Sequence, residues 1–118
     1  MTAEEIVQFA EEVHASMDIE RMMECFEPDI VAYWNGRQIA SNKSELRAWY
    51  QNFFGAQRHF ELKKTLRVAS PDRLAVEWVH RRTDREGRSF EAFAAEIWYL
   101  SPTQRLSEWH AHCTEYPL

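Results

Sequence analysis

Between Phe90 and Leu100 apolar residues fill both alternating sets of positions: Phe90, Ala92, Ala94, Trp98 and Leu100 on one, Phe93, Ala95, Ile97 and Tyr99 on the other. Successive side chains of a strand point to opposite sides, so this pattern predicts a central strand that is apolar on both faces. The first set holds a single carboxylate, Glu96, among alanines and a tryptophan. The flanking segments alternate more simply. From His59 to Ser70, Phe60, Leu62, Leu66 and Val68 share one face, and Glu61, Lys63, Thr65 and Arg67 the other. From about Leu74 to Thr83, Leu74, Val76, Trp78, His80 and Arg82 share a face, with Glu77 and Arg81 opposite. Pro71-Asp72, Asp84-Arg85-Glu86-Gly87 and Pro102-Thr103-Gln104 supply the turns, and a last strand runs from Arg105 to Glu115.

The first half reads at helical spacing. Thr2 and Glu5 form a capping-box pattern ahead of Ile6, Phe9, Ala10, Val13 and Met17. Asp18 caps a short second helix carrying Ile19, Met22, Met23 and Phe26, which Pro28 stops. Asp29 to Trp34 suits a strand, Asn35-Gly36 a turn, and the run from Ser41 through Leu46, Trp49, Tyr50, Phe53 and Phe54 a third helix that ends at Gly55.

Requiring apolar faces to coincide across each turn selects one register. With Leu100 facing Leu106, Glu96 lies opposite His110 and Ala94 opposite His112; with Asp84 and Arg88 flanking the hairpin turn, Ala94 faces Trp78 and Ala92 faces His80. The surface formed by these even-numbered positions is expected to be concave and covered by helices.

Composition narrows the setting. The 118 residues are 45% hydrophobic and 14% aromatic, enough apolar mass for a single domain spanning 1–118. Two cysteines, Cys25 and Cys113, are too few for a disulfide scaffold and lack metal-ligand spacing, which favours a cytoplasmic protein. The N-terminus has no basic stretch followed by an apolar run, and no segment is apolar enough to span a bilayer, so no membrane partner is expected. A formal charge of -5 with acids and bases interspersed argues against nucleic acid.

The order helix, helix, strand, helix and four antiparallel strands resembles the nuclear transport factor 2-like superfamily, which includes the SnoaL-like polyketide cyclases and ketosteroid isomerase. The resemblance spans nearly the whole chain. It is carried by Phe26-Glu-Pro-Asp-Ile before the first strand, Trp34-Asn-Gly-Arg-Gln-Ile-Ala leading into the third helix, Asp72-Arg-Leu-Ala-Val-Glu-Trp, and Glu96-Ile-Trp-Tyr-Leu. It implies an α+β, cystatin-like fold, a cone-shaped half-barrel of N-terminal helices on a curved antiparallel sheet, with a pocket at its mouth and commonly a dimer through the sheet. No catalytic residue of those enzymes carries over. The last strand reads Glu108-Trp-His-Ala-His-Cys-Thr where the SnoaL-like cyclases look to an aspartate, and Ala32-Tyr33-Trp34 stands near the place of the isomerase's aspartate base.

On the residues themselves, Glu96 and His110 would lie ~5 Å apart at their β-carbons, close enough for the carboxylate to orient the imidazole as an acid/base pair. With His112 and His80 they are the candidate catalytic groups of a cofactor-free isomerase, cyclase or hydrolase acting on a small apolar or cyclic molecule. Ala92 and Ala94 leave room beside Trp78, and Tyr33, Trp34, Trp49, Tyr50, Phe53 and Trp98 supply walls and a phenol donor. Two further readings stay open: a non-catalytic ligand-binding or dimerisation domain, and a metal-dependent enzyme using His110 and His112. On the opposite face Phe93, Ala95, Ile97, Tyr99, Trp109, Ala111 and Cys113 form an apolar patch that predicts a homodimer.

Overall fold

A computed structural model describes residues 1–118. Helix α1, Ala3–Ala15, starts at the Thr2/Glu5 capping box and buries Ile6, Val7, Ala10, Val13 and His14. Asp18 caps the one-turn helix α2, Ile19–Met22, and a 3₁₀ turn over Met23–Cys25 delivers the chain to strand β1, Phe26–Trp34. The second helix is thus shorter than its apolar spacing suggested. Phe26 and Pro28 already belong to the strand, where the register breaks between Phe26 and Val31 and a missing N–H costs no ladder bond.

Strand β2, Arg37–Ala40, folds back on β1, and helix α3 runs Lys43–Gly55. Its cap is Asn42, whose side chain accepts from the Glu45 amide; Ser41, the expected cap, donates instead to the Glu45 carboxylate. Four long strands follow: β3, Gln57–Ala69; β4, Arg73–Asp84; β5, Ser89–Leu100; and β6, Leu106–Pro117. Gly87 takes φ 84° in the β4–β5 hairpin.

The six strands form one sheet in the order β2-β1-β6-β5-β4-β3. Every pairing is antiparallel except β1 with β6, which run parallel because α3 and the β3–β5 meander intervene between them. The result is an α+β architecture in which helices pack on one face of a curved, unclosed sheet. That face and the helices bury one core of 19 residues, including Ile6, Val13, Met22, Ile30, Leu46, Leu74, Val76 and Trp98. Glu11 on α1 accepts from the backbone N–H of Lys64 at 2.6 Å, tying the helix to the otherwise open edge of β3. No helix is long and apolar enough to cross a membrane.

The β4–β5 register is the expected one: Trp78 faces Ala94 and His80 faces Ala92. The β5–β6 register is not. Leu100 faces Leu106, but a bulge at Ser107 makes Tyr99 face Glu108, so that Trp98 meets Trp109, Ile97 meets His110, Glu96 meets Ala111 and Ala95 meets His112. One extra residue sends every later side chain to the other face. Trp109 and Ala111 are therefore buried against the helices, and His110 and His112 look outward. A similar irregularity between Leu66 and Val68 leaves Val68 66% exposed, not inside as its alternation suggested.

This reversal has a direct consequence for stability. Trp109→Ala, which empties a buried aromatic site, is expected to cost about 3–5 kcal/mol in urea unfolding, whereas His112→Ala stays within about 0.5 kcal/mol. The opposite ranking would restore the straight register.

Candidate functional site

The polar centre beneath the helices is built around Glu96, which is 2% exposed. Its Oε1 accepts from Lys64 Nζ at 3.2 Å and from the Trp98 indole at 3.0 Å, while Oε2 accepts from the Trp109 indole at 2.8 Å. Three strands thereby contribute to one carboxylate: β3, β5 and β6. Lys64 is itself buried, and its ammonium lies 5.9 Å and 5.4 Å from the ring centroids of Trp78 and Trp98.

A second polar pair hangs from the helices. The His14 Nδ1 lies 2.7 Å from the Ala10 carbonyl and Nε2 3.1 Å from Tyr50 Oη. A carbonyl only accepts, so Nδ1 carries the proton and the Tyr50 hydroxyl donates to Nε2. Burial, assisted by the Lys64 charge, pushes the His14 pKa down to about 3, so the ring is neutral. Burial, with Glu96 nearby, holds the Tyr50 phenol well above its ordinary value.

His80 completes the set. Its ring stacks on Trp78 at 4.7 Å and meets Phe60 at 5.1 Å and Phe53 at 6.2 Å. Its Nε2 is the one buried side-chain nitrogen or oxygen without a hydrogen bond. Burial pushes this imidazole down to about 4 against the upward pull of Glu115. Burial also raises both thiols, Cys25 to about 12 and Cys113 to about 11, which removes them as nucleophiles at neutral pH.

These groups border a partly open cavity of about 370 Å³, counting its mouth. Lys64, Glu96, His80, His14 and Tyr50 supply the polar lining; Trp34, Trp49, Phe53, Phe60, Trp78 and Trp109 dominate the walls. Indoles and phenyl rings contact one another almost continuously around it, Trp34 reaching Trp49, Trp78 and Trp109 at centroid distances of 5.4, 6.1 and 6.1 Å. The lining is aromatic and apolar apart from these few polar groups.

Of the residues selected from sequence, the structure brings Glu96, His80, Trp34, Trp49, Tyr50, Phe53 and Trp78 to this cavity. Trp98 lies behind Glu96, beside a smaller adjoining space with room for about one water. Ala92 and Ala94 do not open the cavity: Trp78, Trp34 and Leu62 fill the room above them. The Glu96–His110 pair does not form. His110 sits on the outer face, 2.6 Å from Glu108 Oε2 and stacked 4.6 Å from Tyr33, which the parity of β1 also turns outward. His112 is exposed on that same face, and no three His, Cys, Asp or Glu side chains gather to hold a metal ion.

The expected interface patch changes in the same way: Trp109 and Cys113 leave it for the inner face, while Phe93 and Ile97 remain 46% and 41% exposed. Lys64 and His14 were the omissions. Lys64 falls between Leu62 and Leu66 at inward parity, and His14 lies four residues after Ala10 on the apolar stripe of α1, so both were readable from spacing alone.

The SnoaL-like domain family matches residues 6–111. The chain belongs to that family. Its fold is similar to a nuclear transport factor 2-like protein of unknown function from Burkholderia pseudomallei (TM-score 0.79, 17% identity, covering 92% of this chain and 88% of that one). It is also similar to SalBIII, an epoxide hydrolase/cyclase-like enzyme with a role in pyran ring formation in salinomycin (0.84, 14%, 98% and 95%). A ketosteroid isomerase-like protein from Erwinia carotovora atroseptica aligns at TM-score 0.74 and 19% identity, over 93% and 92% of the two chains. No curated protein matches the sequence. At these identities the structural neighbours speak for the fold of this SnoaL-like protein, not for its activity.

The two buried histidines give a pH dependence. Both are pushed below the ordinary value of 6.5, so between about 6.5 and about 4 the unfolded chain binds protons that the folded chain refuses. Stability is full above that window and falls as pH drops through it, by up to about 1.4 kcal/mol per pH unit for each histidine. Urea unfolding at pH 7 and pH 5 should show the loss, and His14→Gln should remove about half of it; an unchanged slope in the variant would assign the loss elsewhere.

Proposed function

We propose that this SnoaL-like protein binds a small cyclic, largely apolar molecule in the aromatic cavity and acts on it by cofactor-free acid/base chemistry of isomerase, cyclase or hydrolase type. The observation that carries the reading is the convergence of a neutral buried imidazole, His80, and a buried ion pair, Lys64–Glu96, on one aromatic-walled cavity. A neutral imidazole accepts a hydrogen bond from a ligand donor, and the Lys64 ammonium elsewhere on the lining stabilises negative charge developing on a ligand oxygen. Glu96 serves as the anchor of Lys64: three donors already occupy it, so it is the least available base of the set. That saturation also favours a second reading, a binder without catalysis. The likeness in fold to an enzyme of pyran ring formation supports a cyclic ligand.

Five tryptophans make the cavity its own reporter, since Trp34, Trp49, Trp78 and Trp109 line it. Titration with a panel of small cyclic ketones, lactones and phenols is expected to change tryptophan emission saturably, and Trp78→Ala to weaken binding by about tenfold or more. No saturable change with any ring-sized compound would defeat the pocket reading.

We also propose a homodimer through the outer sheet face. Phe93, Ile97, Val79 and Tyr116 are exposed there, with Tyr99 alongside. Sedimentation should give twice the chain mass, and Ile97→Glu one chain mass. A wild-type monomer at 100 µM would refute the interface.

A further inference from the structure

The unsatisfied Nε2 of His80 has a direction. Glu115 Oε2 lies 3.7 Å from it, just outside hydrogen-bond range, and no other acceptor competes. That carboxylate is not free to wander: Arg82 holds it in a two-pronged grip, Nε to Oε2 at 2.9 Å and Nη2 to Oε1 at 2.7 Å. Arg82 is fixed in turn by the Gln57 side chain at 3.3 Å and by the face of Phe90, 4.2 Å from its ring centroid. An anion clamped beside Nε2 favours the tautomer in which Nε2 carries the proton, and a small closure makes the hydrogen bond. The other ring nitrogen, Nδ1, makes no hydrogen bond and is not sealed as Nε2 is.

We infer that Glu115, clamped by Arg82, is a positioning residue that fixes His80 in the Nε2–H tautomer, so that Nδ1 presents a lone pair to the cavity and selects a ring-sized ligand bearing a hydroxyl donor. This rests on the pocket reading above and sharpens it: the ligand class becomes phenols and cyclic alcohols or enols, whose hydroxyl donates a hydrogen bond to Nδ1. An ether or a bare hydrocarbon of the same shape lacks that donor. It leaves Nδ1 unpaired on desolvation, which is the larger part of the selectivity. Lys64, whose ammonium lies 5.9 Å from the centroid of the Trp78 ring on which His80 stacks, lines the same cavity as a separate donor.

Two measurements on the full chain test the inference. Long-range proton–nitrogen correlation spectra at pH 7 should show His80 protonated at Nε2 and bare at Nδ1, with Glu115→Gln mixing the two tautomers; a wild-type Nδ1–H overturns it. Binding of phenol, anisole and toluene, followed by tryptophan emission, should favour phenol by about tenfold over the other two. His80→Phe should bring phenol down to the level of toluene while toluene still binds, which also reports that the variant is folded. Equal binding of all three rings to the wild type sinks the tautomer assignment and leaves the pocket standing. Failure of all three to bind removes both.

Discussion

One buried carboxylate organises the interior of this protein. Glu96 takes a donor from each of two indoles and from an ammonium, and those donors come from β3, β5 and β6. A charge in this position is tolerated only because each of these three strands delivers its donor; with Lys64 removed it would be stranded at a cost of about 3–5 kcal/mol. The network therefore acts as a register lock. Sliding β6 by one residue withdraws the Trp109 N–H, and shifting β3 withdraws the ammonium, so the polar centre penalises misfolded pairings that the apolar contacts alone would permit. Hydrophobic burial supplies the driving force, and this centre supplies the selectivity among ways of achieving it.

The bulge at Ser107 explains how much of the molecule was legible in the sequence. Alternation identified the four long strands, their order in the meander and the β4–β5 pairing, where Trp78, His80, Ala92 and Ala94 sit in an unbroken ladder, but not the short β2. Alternation carried through the bulge gave the wrong face for five residues that mattered: Trp109, His110, Ala111, His112 and Cys113. Local sequence offers no strong sign of the extra residue, since neither Ser107 nor its neighbours is a glycine. The deciding information is nonlocal. Glu96 needs donors, and the observed register supplies one from the indole at 109, which packs against the helices as an imidazole at 110 would not. A different error lay at Lys64. Its parity places it on the inner face with Leu62 and Leu66, but a lysine is rarely fully buried unless paired, and its partner lies two strands away.

The same network shapes the cavity. Because the Glu96 charge is met inside the protein by Lys64, the lining adds little net charge, and the aromatic walls do not demand a cationic guest. Burial keeps His14 and His80 neutral for the same reason that it requires Lys64 to be paired: the interior charges only what it can match. The Tyr50 hydroxyl is spent on His14, and the indoles of Trp98 and Trp109 are spent on Glu96. By subtraction, the polar capacity left for a ligand resides in the remaining N–H groups of Lys64 and in His80.

That subtraction separates structural from functional polarity in a way that counting polar residues does not. A buried side chain whose hydrogen bonds are complete has a folding role that accounts for its presence; Glu96, His14 and Tyr50 are of this kind. His80 is not, because placing an imidazole between Trp78, Phe53 and Phe60 with Nε2 unmet is costlier than placing a phenyl ring there. Arg82 and Gln57 then spend further polar contacts on holding Glu115 just beyond that ring. The Arg82–Glu115 pair stabilises the fold, but stability alone does not account for the unmet Nε2. Under the proposal that His80 accepts from a guest hydroxyl, the arrangement supplies a fixed tautomer, and a small closure completes the hydrogen bond between Nε2 and Glu115.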